Sequence, residues 1–580
     1  MTGSRSIGPV ARHAADWLRQ QLPARARLRC DSRRVTAGDA FFAYPGERGD
    51  GRDWLRPALE AGAAAILMER AGLEAFETVV AEAGVPSLAI EGLRRQAGEI
   101  ASAYLGEPSA RMKVIAVTGT NGKTSCTHWI AQGFEHRARQ LAAARRGDGA
   151  DATMEPDRAR AAVIGTLGAG IPARGDAGEF EPEPDADAIL TTPDALGLQH
   201  RLADFAARGI ELVALEASSI GLQQGRLNGT RIAVAVLTNL SRDHLDYHVT
   251  MQAYAAAKAR LFAWPTLEAL VVNLADPASA EMMNAADPDL RRIGYLLNDT
   301  PAGGEALVDA GERSTACSDL LTATPVDAHG RILLSWFRAA GEAWPADRRE
   351  ATGGGDSIDL QLSLIGRFNI ANALAVAGTW LALGWSLPEI AAGLERLRPV
   401  PGRLQMVGDP RDALMPLAVI DYAHTPDALA NALAALRPLA EARRGRLWCV
   451  FGAGGDRDPG KRAPMAAAVE RHADEVVLTS DNPRSETPEA IIAQLRAGLS
   501  RAPWREQPDR AQAIAAALQA AAPADVVLIA GKGHEAYQEI RGQRLPFSDV
   551  DQARLALRQR AEASAPAGGC AGSGAGDGDV

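Results

Sequence analysis

Short apolar runs rich in Val, Ile, Leu and Ala recur along the chain, and most are followed by Ala/Leu-rich stretches with helical spacing. Continuous apolar runs bounded by glycine and polar residues read as strands buried on both faces, and their alternation with helices predicts parallel sheets and an α/β fold. Between Val10 and Leu105 the runs Ala40 to Ala43, Ala63 to Met68 and Leu88 to Ile90 predict a small α/β domain. A second series opens with Val114 to Val117 and continues at Leu212 to Leu215 and Ile232 to Leu237. Helices are expected over Met251 to Phe262, over Asn369 to Leu383 and up to Leu397. Past a hinge at Pro399-Val400-Pro401-Gly402, strands at Leu417 to Ile420, Leu447 to Phe451, Glu475 to Leu478 and Val526 to Ile529 alternate with helices. That third series predicts a doubly wound, Rossmann-like domain.

Where the pattern fails, loops are expected. Glu135 to Arg160 is polar, Arg/Ala/Asp-rich and poorly periodic, so it reads as a surface insertion or mobile loop. Gly175 to Asp187 reads as an acidic, proline-bearing loop, Asn298 to Gly355 is loop-rich with weak strand signals, and Ala563 to Val580 reads as a disordered tail. The expected domains are therefore 1–110, 111–399 with the insertion at about 135–160, and 400–562, followed by the tail 563–580. The 580 residues agree with that division, since about 150 residues per domain suggests three or four.

Charge and cysteine content narrow the function. A net charge of −10 with no long Lys/Arg block argues against nucleic acid as the main partner, whereas small anionic ligands in a local basic cleft remain compatible. The five cysteines are scattered without a C-x-x-C pair, which reads as a reducing compartment and no structural zinc. No signal-peptide pattern and no apolar run of the roughly 18 residues that a membrane span requires are present, so a cytoplasmic monomer without membrane insertion is expected.

The chemistry begins at Lys113 to Thr127, K-V-I-A-V-T-G-T-N-G-K-T-S-C-T. A β-branched strand stops at Thr118-Gly119, and Gly122-Lys123-Thr124 opens a helix. Glycines there let backbone N–H groups approach an anion, Lys123 adds a point charge and the Thr124 hydroxyl suits Mg²⁺, so a nucleoside triphosphate is implied. A bare G-K-T is also met in glycine-rich turns with a surface lysine, and the glycine usual five residues before Gly122 is Val117 here. Two further strand ends carry candidate Mg²⁺ ligands. Glu216 closes one strand, and Asn239 to Asp246, containing Asp243 and His244, follows another; groups past the carboxyl ends of parallel strands face the ligand crevice. Taken singly, His244 reads as a hydrogen-bonded loop histidine, and Lys258, amid Ala and Leu, as a helix-surface lysine.

Several ordered motifs carry a resemblance. They are Gly-Thr-Asn-Gly-Lys-Thr at 119–124, Leu-Thr-Thr-Pro at 190–193, Glu-Ala-Ser-Ser at 216–219, Asn-Leu-Ser-Arg-Asp-His-Leu-Asp-Tyr-His at 239–248 and Tyr-Ala-Ala-Ala-Lys at 254–258. Gly-Arg-Phe-Asn-Ile-Ala-Asn at 366–372, Pro-Gly-Arg at 401–403 and Asp-Tyr-Ala-His-Thr-Pro at 421–426 follow. In this order, from about Asp31 to Glu539, the sequence resembles the Mur ligases, the ATP-dependent amide-forming enzymes of peptidoglycan synthesis. The resemblance implies an N-terminal UDP-binding domain, a central ATP-binding domain and a C-terminal amino-acid-binding domain, with ATP as co-substrate and Mg²⁺ as cofactor. It implies that Gly119, Thr120, Asn121, Gly122, Lys123, Thr124 and Ser125 cradle the phosphates, that Thr124 and Glu216 hold one Mg²⁺ and that His244 holds a second. Lys258 matches a carbamylated lysine, an anion suited to the second Mg²⁺. Asn369 and Asn372 match adenine contacts, and Arg403, Asp421 and His424 match a nucleotide clamp that the third domain closes over ATP.

The same resemblance assigns the ends of the substrate. Ser32 with Glu47, Arg48 and Gly49 matches the UDP-binding part, and Thr191, Thr192, Ser218, Gln224 and Arg226 match contacts to the muramoyl dipeptide. Asp481-Asn482-Pro483-Arg484 resembles the recognition motif of the branch that adds meso-diaminopimelate, where arginine pairs with the distal carboxylate of the amine. Arg457, Gly531 and Glu535 complete that set. Four departures from the family pattern are Ile220 for a usual histidine, Gln405 for a common glutamate, Leu190 before Thr191, and the long insertion. Two other readings stand beside the diaminopimelate ligase: a relative using another amine, such as lysine-adding or folylpolyglutamate-type ligases, and a nucleotide-binding protein without ligase activity.

Overall fold

The structure is a computed structural model and describes residues 7–47, 49–147, 160–172, 180–182, 190–298, 314–326, 331–338, 356–408 and 414–564. It divides into two compact units, Met1–Pro401 and Gly402–Val580, so the chain changes unit within the Pro-Val-Pro-Gly hinge.

The first unit holds two sheets. Four parallel strands, Leu28–Arg29, Ala40–Ala43, Ala65–Glu69 and Ser87–Ile90, form the smaller one in sequence order. Its apolar runs are continuous because both faces are covered: Ala40 and Phe42 pack into one core, Phe41 and Ala43 into another. A 3-10 turn, Pro108–Arg111, leads to the strand Lys113–Thr118 of an eleven-stranded, mostly parallel sheet. Period-two alternation splits that strand as well, Ile115 and Val117 facing one core and Val114 and Ala116 the other.

Topology places the chemistry. Lys113–Thr118, the first strand of its sheet in sequence, pairs in parallel with Leu212–Glu216 on one side and Val234–Leu237 on the other. Strand order reverses across it, and in open α/β sheets a ligand crevice forms outside the carboxyl ends at such a switch point. Thr118, Glu216 and the residues after Leu237 therefore share one edge.

Three stretches differ from expectation. Glu135 to Arg160 is not simply an insertion: the helix that starts at Lys123 continues to Gly147. Ala, Arg, Gln and Leu are good helix formers even without an amphipathic rhythm, and Glu135 is buried, its Oε1 accepting from the N–H groups of Arg160 and Ala161 (2.6 Å to the latter). Residues 148–159 lie outside the described set. Within the weakly patterned 298–355 region, Asp319–Pro325 and Arg331–Arg338 are strands that extend the large sheet, joined antiparallel to each other. The last helix runs to Ser564, and the remainder of the expected tail, like most of 175–187, lies outside the described residues.

The second unit carries a six-stranded sheet in the order Gln405–Val407, Leu417–Asp421, Val526–Ala530, Leu447–Phe451, Glu475–Thr479, Arg505–Gln507, parallel except at the Gln405–Val407 edge. A two-stranded hairpin, Tyr537–Ile540 with Gln543–Pro546, stands apart from it.

Candidate functional site

The turn after Thr118 uses its glycines for distinct reasons. Gly119 has φ +145° and Gly122 φ +86°, conformations that L side chains rarely adopt. A side chain at Gly119 would run into Thr238 Oγ1, and one at Gly122 into Asn372 Oδ1. The predicted adenine contact Asn372 therefore lies directly against the loop, and its Nδ2 is 3.4 Å from Asn369 Oδ1. Lys123 opens the helix and folds back, its Nζ donating to the carbonyls of Gly119 (2.9 Å) and Thr120 (2.8 Å). Thr124 and Ser125 are buried in the first helical turn.

The neighbouring strand tip holds the loop shut. Asn121 N–H donates to Asn239 Oδ1 at 3.0 Å, while Asn239 Nδ2 (3.0 Å) and Thr238 Oγ1 (2.6 Å) donate to Asn121 O. Thr120 Oγ1 accepts from Ser241 N–H at 2.9 Å and lies 3.2 Å from the Tyr254 hydroxyl. Neither Tyr254 nor Thr238 is among the site residues that the sequence predicts: Tyr254 opens the Tyr-Ala-Ala-Ala-Lys motif without a role, and Thr238 stands just before the motif that begins at Asn239.

Lys258 departs most from its composition. It sits on the helix Met251–Ala259 yet is 1% exposed, its Nζ donating to Gly119 O at 2.8 Å and lying 4.4 Å from the Tyr254 ring centroid. Burial holds its pKa well below the ordinary lysine value, the Lys123 charge lowers it further and Asp243 opposes. His244, half-exposed with φ +53°, lies 3.6 Å by Nε2 from Asp243 Oδ2. The protein around its ring lowers its pKa, against the pull of Asp243, so the neutral, metal-binding form is favoured.

Glu216 is fully buried at its strand tip. Its two oxygens accept from Thr166 N–H (2.9 Å) and Thr166 Oγ1 (3.0 Å), and Gly165 leaves room that a Cβ would fill. The sequence reading lacks the strand Ala161–Gly165 that delivers Thr166, although its A-A-V-I-G run was legible. Thr192 Oγ1 donates to Glu216 O at 2.7 Å and lies 3.0 Å from Ser218 Oγ, and Thr191 Oγ1 is 3.3 Å from Thr166 Oγ1. Arg226 donates to Thr192 O and Gln224 Oε1, both at 2.8 Å.

Gln224 in turn joins the loop predicted for UDP. Glu47 Oε1 accepts from Gln224 Nε2 (2.6 Å), Tyr247 OH (2.5 Å) and Arg94 (3.4 Å). Burial works to raise the Glu47 pKa, but these donors outweigh it and lower it. Gly49 closes the same turn by accepting from Gly46 N–H at 2.8 Å, Ser32 opens a 3-10 turn capped by Asp31, and Arg48 lies outside the described residues. Ile220 stands where the resemblance leads one to expect a histidine; next to it, Ser219 Oγ lies 2.9 Å from Nε2 of His248, which ends the short helix Leu245–His248 in the loop after Leu237.

Val249 separates that loop from the Lys258 helix. It has φ +66° and ψ −44°, is 77% exposed, and Thr250 N–H reaches across it to His248 O at 2.7 Å. This is a γ-turn of the rare, positive-φ kind with a β-branched residue at its centre, a conformation costing on the order of 1–3 kcal/mol. Glycine would relieve the strain at a cost of roughly 0.5–1 kcal/mol in unfolded-state entropy. Val249→Gly is expected to raise unfolding stability by about 1 kcal/mol. A denaturation midpoint unchanged or lowered would show the turn to be unstrained.

In the second unit, Asp421 accepts from the N–H groups of Leu404 and Ala423, both at 2.8 Å, and burial raises its pKa against the nearby Arg403. The Arg403 guanidinium lies 4.5 Å over the Tyr422 ring, which also meets His424, 4.8 Å between centroids. The Asp481-to-Arg484 loop and the Gly531-to-Glu535 loop meet. Lys532, wholly buried, donates to Asn482 Oδ1 (3.0 Å) and Glu535 Oε2 (2.9 Å), and Asn482 Nδ2 donates to the same Glu535 oxygen at 2.7 Å. Gly531, at φ +115°, makes room for Asp481, whose Oδ2 would lie 2.7 Å from a Cβ there. Arg484 has φ +53°; its NH1 donates to Gly455 O at 2.7 Å and its Nε is 3.4 Å from Glu539 Oε2. Arg457 is exposed beside Gly454, which also neighbours Arg484. Lys532 is not among the residues that the sequence predicts, although it stands between the predicted Gly531 and Glu535.

Among the described residues no three carboxylate, imidazole or thiolate groups form a ready-made metal cage. Mg²⁺ does not require one, because it keeps waters and phosphate oxygens and takes one or two carboxylates. Glu216 fits that chemistry: it is a buried carboxylate with no ion-pair partner among the described residues, on a strand adjacent to the phosphate-type loop. Among the described residues no helix is long and apolar enough to cross a membrane.

Comparisons with known proteins agree with this layout. Three family profiles match in order: "Mur ligase family, catalytic domain" over residues 26–105, "Mur ligase middle domain" over 117–303 and "Mur ligase, glutamate ligase domain" over 402–533. The chain is 42% identical over 550 residues to the UDP-N-acetylmuramoyl-L-alanyl-D-glutamate–2,6-diaminopimelate ligase of Janthinobacterium sp. (strain Marseille), covering 94% of this chain and 96% of that one. It is 42% identical over 535 residues to the ligase of that name from Pseudomonas aeruginosa, covering 91% and 94%. A solved structure of an enzyme of the same name aligns with a TM-score of 0.55 at 34% identity, over 92% of this chain and 95% of the other. MurF ligase from Thermotoga maritima in complex with ADP, with a TM-score of 0.53 at 18% identity over 93% and 99%, shares the fold.

Proposed function

The chain belongs to the Mur ligase family, and we propose that it is the ATP-dependent ligase that joins meso-2,6-diaminopimelate to UDP-N-acetylmuramoyl-L-alanyl-D-glutamate in peptidoglycan synthesis. The observation that carries the choice of amine is the cluster of Asn482, Lys532 and Glu535 beside Arg484: two loops packed together with a guanidinium at their margin. A planar guanidinium matches a carboxylate with two parallel hydrogen bonds, and nearby acids suit an ammonium, so the pair suits an amino acid carrying both at its far end.

A carboxylate is a poor electrophile. In the proposed reaction a carboxylate oxygen of the D-glutamyl residue attacks the γ-phosphorus of ATP, ADP leaves, and an acyl phosphate forms. The amine then attacks the acyl carbon, a tetrahedral intermediate loses phosphate, and the amine proton is released as the amide forms. Positioning and charge neutralisation dominate such a transfer. In this reading the loop N–H groups of Gly119 to Thr124 and the Lys123 ammonium hold the β- and γ-phosphates, with Asn369 and Asn372 at the base. Thr124, Glu216, His244 and a carbamylated Lys258 would hold Mg²⁺, which when bound neutralises phosphate charge. Thr191, Thr192, Ser218, Gln224 and Arg226 orient the dipeptide, and Ser32 with the Glu47 loop takes the UDP end. Arg403, Asp421 and His424 take nucleotide contacts on motif resemblance. A cytoplasmic monomer accords with nucleotide-linked small substrates.

Phosphate release with UDP-N-acetylmuramoyl-L-alanyl-D-glutamate, ATP and a panel of amines tests the assignment. Turnover with meso-diaminopimelate and little with lysine is the expected result. Preference for lysine or a glutamate-type amine would replace the amine while keeping the ligase, and ATP binding without phosphate release for any amine would remove the ligase itself.

A further inference from the structure

The second unit contains an ion pair that no motif in the sequence announces. Arg510 and Asp549 are both wholly buried, joined by two hydrogen bonds of 2.7 Å from Nε and NH2 to the two carboxylate oxygens. Two further donors of the same guanidinium reach main-chain oxygens, NH1 to Ser480 O at 3.1 Å and NH2 to Ala530 O at 2.8 Å. Ser480 immediately precedes Asp481-Asn482-Pro483-Arg484, and Ala530 immediately precedes Gly531-Lys532-Gly533-His534-Glu535.

Those two strand tips are not neighbours. Leu447–Phe451 runs between Glu475–Thr479 and Val526–Ala530, so no sheet hydrogen bond sets one tip against the other. Arg510 spans the gap. The location is otherwise unfavourable for a cation, since Arg510 is the first residue of the helix Arg510–Ala520, whose N-terminus carries partial positive charge. Asp549 begins the last helix, where an anion is favoured, and its carboxylate cancels the charge. A cation buried at a helix N-terminus, satisfied by one carboxylate and two main-chain carbonyls at the strand tips, is costly to desolvate, and what it gains in return is a fixed geometry for the two loops that follow those tips.

We propose that Arg510, locked by Asp549, is a positioning residue for the amine site: it sets the spacing between the loop bearing Arg484 and the loop bearing Glu535. The proposal rests on the reading that these loops bind diaminopimelate. It places specificity in a residue that does not touch the substrate. Arg510 bridges four acceptor oxygens on three residues because its fork is planar with fixed donor directions; a lysine has the charge but not the fork.

The test uses the full chain and two variants, Arg510→Lys and Asp549→Asn, each measured for KM with all three substrates, for kcat and for melting temperature. The expected result is a KM for meso-diaminopimelate raised about tenfold or more, with KM values for ATP and the UDP-linked dipeptide within about twofold and kcat within about threefold. Equal rises for all three substrates, or a lower melting temperature with unchanged KM values, would overturn it. If neither variant folds, hydrogen exchange on the unaltered protein decides. Residues 480–484 and 531–535 are expected to gain protection together when diaminopimelate is added, and independent responses would refute the coupling. Should the unaltered protein prefer a different amine, the function assigned above fails, and the same variants are measured with that amine.

Discussion

Lys258→Ala is expected to fold and to bind ATP, yet to lose roughly 10²–10³-fold of phosphate release, the magnitude typical of removing a preorganised charge from a reaction centre. Part of that loss should return when a short carboxylic acid such as acetate is supplied in solution. The expectation follows from where the nitrogen sits. Lys258 Nζ is buried against Gly119 O, the same carbonyl that receives Lys123 Nζ, so two amines meet at one oxygen in the site proposed for phosphate and metal. An ammonium there is disfavoured by burial and by Lys123. The neutral amine is the nucleophilic form that adds carbon dioxide, and the product carbamate exchanges a cation for an anion with two oxygens. Truncation to alanine opens space beside Tyr254 into which a small carboxylate can enter and restore the negative charge. Full activity in Lys258→Ala without added acid would remove the carbamate. A loss that acetate does not relieve, in a variant that still melts at the parent temperature, would assign Lys258 a role as an amine.

Lys258 also marks the boundary of what the sequence reveals. The strand Lys113–Thr118 and its neighbours are legible because burial on both faces forces uninterrupted apolar runs, and polar residues at their ends fall on one sheet edge by topology. Lys258 sits among alanines, and alanine content is the same whether a helix face meets water or a packed loop. Only the family motif reveals its burial. Arg510 and Lys532 are hidden for the same reason: a buried cation is identified by partners far along the chain, here Asp549 and Asn482, and no local period encodes them. The 135–147 segment shows the opposite failure. Its helix follows from intrinsic propensity, while the absence of an apolar stripe makes it look like a loop.

Arg484→Ala is expected to raise the KM for meso-diaminopimelate by roughly 10²-fold, because truncating one partner of a desolvated charge pair costs about 2–5 kcal/mol. KM for ATP should stay within about twofold. The main chain at this residue does not depend on its side chain: Arg484 N–H donates to Glu539 O at 3.0 Å and Arg484 O accepts from Arg541 N–H at 2.7 Å, so the loop keeps its course in the variant. What alanine removes is the guanidinium, anchored through NH1 to Gly455 O and steered by Glu539. Lysine as substrate offers the control, since it has the distal ammonium and lacks the distal carboxylate. Its turnover should hardly change, and the ratio of kcat/KM between the two amines should therefore collapse in Arg484→Ala. Arg484→Lys separates charge from geometry: it keeps the cation and loses the planar fork, so its discrimination should fall between parent and alanine. Equal changes in KM for diaminopimelate and ATP would instead make Arg484 a residue of general stability, and the choice of amine would then have to rest on the Asn482, Lys532 and Glu535 cluster alone.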